Sequence, residues 1–241
     1  MKLMITTAIL PAALLLSACG GGGGSVGPAP SQPSPAAIDV ASLVAFASEN
    51  PDSTTTTRGV VRQTRQFEDG GRSGVVVLDQ LAGSDVGLVQ YRLGNDVFVY
   101  STTGEPVAGA AMPGGTYSGT MDMNYTFDSA SAPGVLTGDV GMNLDIATGM
   151  VSMSSLASNA NHSIEVFGDA ALVDNAFTMT NANAVLRDQA NGGVFVRNET
   201  VTVDGIAATN ANGSAMFGTV EGFNAGTGFA VEGGFAASHV P

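Results

Sequence analysis

Tryptophan is absent from this 241-residue chain, lysine occurs once, at position 2, cysteine once, at position 19, and histidine twice. Each shortage closes off a class of function. A single cysteine forms no intrachain disulfide, and a lone thiol at the front of the chain leaves the folded part without a thiolate metal site or a cysteine nucleophile. Net charge is −13, and beyond Lys2 the cations are seven arginines set against 21 acidic residues. That balance argues against nucleic acid, whose phosphates need Lys and Arg. Charged residues make up only 12 % of the chain and hydrophobic ones 44 %, too little charge and too much apolar material for a disordered polymer. Glycine is plentiful at 33 residues, yet it lacks the Gly-X-Y period of collagen.

The amino terminus carries the most specific motif. Lys2 precedes an apolar run over residues 3–16, and Leu16-Ser17-Ala18-Cys19 follows. The run is too short to span a bilayer permanently. It has the form of a bacterial lipoprotein signal peptide, in which small residues lie extended in the peptidase and the thiol carries a diacylglycerol thioether. Residues 1–18 are therefore expected to be removed, leaving Cys19 as the lipid attachment residue. Gly20, where an Asp would signal retention at the inner membrane, directs the expectation to the outer membrane of a Gram-negative cell. Residues 19–35 hold a glycine run and then prolines at 28, 30, 33 and 35, a flexible and then stiffer tether.

Beyond the tether, residues 36–48 suit a short helix or a buried strand, and 50–57 break the pattern with Pro51 and a threonine run. Period-two alternation then predicts strands at 58–67, 74–81, 87–93 and 97–102. A second break over 104–115, with Pro106, Pro113 and paired glycines, divides a handle-like β subdomain over 36–115 from a domain over 116–241. In that domain Tyr117, Met121, Met123, Tyr125 and Phe127 alternate with Ser118, Thr120, Asp122, Asn124 and Thr126, which gives a strand with one wet face. Leu136, Val140, Met142, Leu144 and Ile146 repeat the pattern. Further strands are expected at 150–155, 163–173, 176–186, 194–203, 213–223 and 227–238, with Asp174-Asn175, 189–193, Asp204-Gly205 and 224–226 as separators. Eight such strands suffice to close a small antiparallel barrel whose interior side chains fill. The same alternation would serve a barrel in the outer membrane, but with no Trp for an interfacial girdle and with a lipid anchor in place, a water-exposed barrel is the better expectation.

Four of the seven arginines, Arg58, Arg62, Arg65 and Arg72, fall within one short stretch, while residues 117–241 hold two against 12 acids. Local pairing of the arginines accounts for this, and an acidic face attracting a basic partner is the competing reading. His162 and His239 stand apart at a strand end and in the tail, as a haem or metal ligand pair or as exposed loop residues, with no second ligand nearby in sequence. No nucleophile elbow is present. Asp139 and Asp145 lack calcium-loop spacing, and Gly226-x-Gly228 lacks the third glycine and the helix of a nucleotide loop. Met121, Met123, Met142, Met150 and Met153, alternating with polar residues, read as core filling before they read as a soft-metal patch. These residues predict no enzyme, no metal site and no cofactor.

The lipobox and glycine run at 19–25, the upstream group of short strands and a Gly-rich closing hairpin resemble the transferrin-binding protein B family of surface lipoproteins, which includes the factor H binding protein. The hairpin carries Phe217-Gly218 and Glu232-Gly233-Gly234-Phe235. Phe217-Gly218-Thr219 stands where the family has Tyr-Gly-Pro. The resemblance implies a handle followed by a barrel plugged by the final Phe, lipid-anchored at the outer membrane and displayed on the cell surface. It further implies a non-catalytic module that captures a protein or a haem or iron-carrier ligand through loops. The chain has room for one lobe. The alternative is a structural or interaction lipoprotein of the envelope with no small-molecule ligand.

Overall fold

The computed structural model describes residues 38–95, 97–128 and 133–241. The signal segment, Cys19 and the Gly/Pro tether lie outside the described residues. The first element is a helix, α1 (Val40–Glu49), which settles the choice left open for residues 36–48. Asp39 caps it by accepting from the Ser42 amide at 3.0 Å, and Leu43, Phe46 and Ala47, three to four residues apart, bury one face. Pro51, placed just past the helix, opposes its continuation.

Five antiparallel strands follow in chain order, β1 (Ser53–Thr57), β2 (Val60–Asp69), β3 (Arg72–Leu81), β4 (Gly87–Leu93) and β5 (Val97–Thr103). The threonine run expected as a break is in fact β1, an edge strand exposed at every position. β-Branched threonine favours extended backbone, and a strand that buries nothing leaves no apolar alternation to read. Gly70 and Gly71 turn β2 into β3 with φ of 57° and 79°, a two-residue loop that L side chains resist. One face of the sheet packs Phe67, Val76, Leu78, Val89, Tyr91 and Leu93 against α1. The other face lies on the barrel, where Leu81, Val86 and Leu88 meet Ala208, Ala215, Phe217 and Ala236.

The remaining strands are β6 (Gly115–Thr126), β7 (Gly134–Asp145), β8 (Met150–Ser158), β9 (His162–Ala171), β10 (Ala176–Asp188), β11 (Val194–Asn210), β12 (Gly213–Asn224) and β13 (Phe229–His239). They form a closed antiparallel barrel, sealed where β13 pairs with β6 from His239↔Tyr117 to Ala230↔Thr126. The fold is thus the expected all-β pair of a small antiparallel sheet and an eight-stranded barrel. Asp204-Gly205, expected as a separator, lies inside β11, which runs 17 residues before turning at Asn210. Gly205 sits there because the Phe177 ring lies over it, so that an added Cβ would stand 2.1 Å from the ring. The aromatic face supplies the contact that the glycine lacks.

Side chains of Tyr117, Met121, Met123, Leu136, Val140, Met142, Ile164, Val203, Val220, Phe229 and Phe235 fill the interior. Met121, Met123, Met142 and Met153 are core, as expected, but Met150, the first residue of β8, is only half-buried and lies outside it, and Phe235 is buried in the interior with its ring over Gly218. Ile146, expected in the same inward set, is exposed instead, because β7 ends at Asp145 and the chain is already turning. The outward positions of β6 are Ser118, Thr120, Asp122 and Asn124, so this strand turns a polar side away from the core. No helix among the described residues is long and apolar enough to cross a membrane.

Candidate functional site

Methionine, phenylalanine and aliphatic side chains fill the barrel interior, and the polar and charged side chains open to partners lie at its ends and on its wall. The near end is where the chain enters at Gly115 and leaves at His239. There Tyr117 donates to the Pro113 carbonyl at 2.7 Å, its hydroxyl pushed up to about 12 by burial. His239 packs on the Tyr117 ring at 5.1 Å and contacts the Gly114 carbonyl at 3.2 Å. Asn175, at a φ of 63°, donates to the carbonyls of Val107 and Ala110 and ties the connecting segment across this end.

The far mouth is the end at which β6, β8, β10 and β12 finish, and a polar and aromatic network gathers there. His162 Nδ1 lies 2.6 Å from the Tyr125 hydroxyl, and the His162 ring stacks on Phe127 at 4.1 Å. Asn159 donates to the Tyr125 oxygen at 3.2 Å and to the Val135 carbonyl at 3.0 Å. Arg197 and Glu199 point inward from β11. Arg197 donates to the Phe127 carbonyl, and its Nε lies 2.8 Å from Glu199 Oε1, a charge contact without hydrogen-bond alignment. Glu199 accepts from Asn224 at 2.8 Å and Thr227 at 2.9 Å. Neither histidine is therefore a free loop residue; each is half-buried against a tyrosine, and the two sit at opposite ends of the barrel. Among the described residues no group of three His, Cys, Asp or Glu could hold a metal ion.

Beside this mouth the wall turns apolar. Val194, Phe195 and Val196 at the start of β11 are exposed, Phe195 by 53 %, and Phe223 near the end of β12 is exposed by 75 %. Phe223 borders a shallow groove on the barrel wall with Thr200, Thr202, Glu221 and Glu232, in which Glu221 and Glu232 are directly paired across β12 and β13. Burial and the Glu221 charge together raise the Glu232 carboxyl above the usual carboxylate range.

The four clustered arginines, Arg58, Arg62, Arg65 and Arg72, each find a partner, and for Arg62 it is an acid. Arg62 grips Asp79 through two hydrogen bonds of 2.8 Å and donates to Thr120 on the barrel at 2.9 Å. Arg58 donates to Ser118 at 2.7 Å, Arg65 to the Phe46 carbonyl while lying over the Phe46 ring, and Arg72 to the Leu93 carbonyl. Beyond the Arg62 clamp the handle and the barrel wall part to leave a cleft of about 250 Å³. It is lined by Val75, Val77, Gln90, Arg92 and Tyr100 from the handle and by Asp122 and Val135 from the barrel. Burial raises both the Tyr100 hydroxyl and the Asp122 carboxyl; for Asp122 the Asp79 charge adds to this, while Arg62 and Arg92 oppose it.

Phe195 stands in the apolar run Val194-Phe195-Val196 and Phe223 on the outward side of β12 with Thr219 and Glu221, so each departs from the alternation of its strand. Only the hairpin geometry shows that both lie beyond the packed core. Gln90 is buried on the side of the sheet that faces the barrel, while Arg92 stays exposed.

No protein-family model and no curated protein matches the chain. Solved structures do resemble it. One is a single-site mutant of the vaccine antigen transferrin binding protein B from Haemophilus parasuis, at 15 % identity over 78 % of this chain and 40 % of that one, with a TM-score of 0.48. Another is intact Ap-TbpB with its N and C lobes, at 16 % identity over 73 % and 38 %, with a TM-score of 0.49. A protein of unknown function from Nostoc punctiforme, of the DUF3598 family, aligns at 11 % identity over 77 % and 76 %, with a TM-score of 0.31. The chain spans about two fifths of the length of the transferrin binding protein B chains it matches.

Proposed function

We propose that this chain is a lipoprotein, anchored through Cys19 to the outer membrane of a Gram-negative cell and displayed on its surface. There it works as a non-catalytic binding module that captures a protein or a haem or iron-carrier ligand. The organisation that supports this reading is a cleavable apolar segment ending in Leu16-Ser17-Ala18-Cys19, a Gly/Pro tether over residues 19–35, a handle over 36–115 and a barrel over 116–241. The observation that carries it is the far mouth. The apolar side chains Val194, Phe195, Val196 and Phe223 are exposed toward this end, and Leu156 on β8 and Phe167 on β9 add two more exposed apolar side chains to the barrel wall. Exposed aromatic residues in a polar surround are the usual anchors of protein interfaces. A filled interior and the Tyr125, His162, Arg197 and Glu199 network gathered at the mouth offer surface rather than a reaction chamber.

Three measurements test the proposal. Mass spectrometry of the exported chain is expected to find a fatty-acylated cysteine as its first residue; an unmodified thiol would remove the anchor. Protease added to intact cells is expected to clip the domain away, and protection until the outer membrane is broken would discard surface capture. Under iron limitation, pull-down with the parent chain and with the Phe195→Ser/Phe223→Ser variant is expected to retain a partner that the variant loses. Equal retention would move the interface elsewhere.

A further inference from the structure

The cleft between handle and barrel holds two opposite charges that do not satisfy each other. Arg92 projects from β4 at its lip, and Asp122 projects from β6 on the facing wall. No ion pair within 4.0 Å joins them, and neither has a hydrogen-bond partner among the described residues. The neighbouring pair behaves differently, for Arg62 and Asp79 close on each other and leave Asp122 with charge influence alone. Val75, Val77 and Val135 form the apolar side of the same cavity, and the Tyr100 hydroxyl and Gln90 carboxamide add polar groups.

The volume of about 250 Å³ lies just below the range of small-molecule pockets, and the mixture of apolar lining with a few convergent polar groups is their usual composition. The signs of the charges narrow the occupant. A simple anion drawn to Arg92 would face Asp122, and a simple cation drawn to Asp122 would face Arg92. A molecule carrying both charges, with a short apolar group between the valines, satisfies both sides. We propose that this cleft binds a compact zwitterion of the α-amino acid class, its ammonium on Asp122, its carboxylate on Arg92 and its aliphatic side chain against Val75, Val77 and Val135.

Neither Phe195 nor Phe223 lines this cleft, so the Phe195→Ser/Phe223→Ser variant is expected to bind the zwitterion as the parent does. Calorimetric titration of the full chain with L-leucine, L-leucinamide and N-acetyl-L-leucine tests the assignment. L-Leucine is expected to bind once per chain, and each blocked form to bind about tenfold or more weakly, since each lacks one charged contact. Arg92→Gln should abolish the preference for L-leucine over L-leucinamide. Asp122→Asn should abolish the preference over N-acetyl-L-leucine. A misfolded variant would lose both preferences together, so the crossed pattern is specific to the cleft. No binding of L-leucine at millimolar concentration, equal binding of all three probes, or preferences that survive both substitutions would each overturn the proposal.

Discussion

Arg62→Leu removes the central clamp between handle and barrel, and its cost follows from what is left behind. Asp79 is 1 % exposed and accepts both guanidinium hydrogen bonds at 2.8 Å. Without Arg62 a carboxylate stays buried with no cation beside it, a change that ordinarily costs about 3–5 kcal/mol. The Arg62 side chain is 34 % exposed, so water reaches the pair, and the figure is discounted to roughly 2–3 kcal/mol. For a chain of this size that lowers the melting temperature by about 4–12 °C. The Arg62→Leu/Asp79→Leu double variant has no stranded charge and is expected to recover part of the loss, because replacing a buried pair with apolar residues is often neutral. Scanning calorimetry of the parent, the single and the double variant reads all three values. The reasoning fails if Arg62→Leu melts with the parent, or if the double variant is less stable than the single.

The closing seam gives a sharper steric test. An added Cβ at Gly119 would lie 1.8 Å from the Ala236 carbonyl oxygen, whereas at Gly141 the nearest atom is 3.6 Å away; Gly119→Ala is expected to yield no cooperative melt and Gly141→Ala to melt close to the parent. Acid titration of stability should show two opposed limbs. The carboxyls of Asp122 and Glu232 are raised from 3.8 and 4.5 by burial, so the folded state holds protons that the unfolded state has released, and stability rises as pH falls from neutrality through their folded values. Hydrogen bonds lower those of Asp39, Asp145 and Asp188, whose contribution is fully present above 3.8 and is lost as pH falls through their folded values. Urea melts across this range should therefore pass through an acidic maximum, and the Asp122→Asn/Glu232→Gln variant should lose the rise while keeping the fall. A profile unchanged by that double substitution would contradict the assignment.

Strands that bury one face on a core were legible because alternation records the burial, as in β4, expected and found at residues 87–93. What escaped was structure without that record. β1 buries nothing, and Gly205 looked like a turn because the ring that covers it lies on another strand, at Phe177. The network at the far mouth escaped for the same reason: Tyr125, His162 and Arg197 are far apart in sequence, and only the closed strand order brings them together. In the handle, Gln90 is a polar residue buried beside Leu88 on the face toward the barrel, which no alternation in β4 announces, while Arg92 stays exposed. Period two distinguishes apolar from polar sides, not solvent from a second polar surface.

The sealing of β13 against β6 imposes a schedule on biosynthesis. Tyr117 waits for His239, so the first barrel strand has no neighbour on one side until the last has been made. A chain ending before Phe229 would carry two naked sheet borders, on β6 and β12, each able to recruit a stranger. Because so distant a pairing is slow to form, closure of the barrel is expected to be the late step of folding, after the local hairpins have paired.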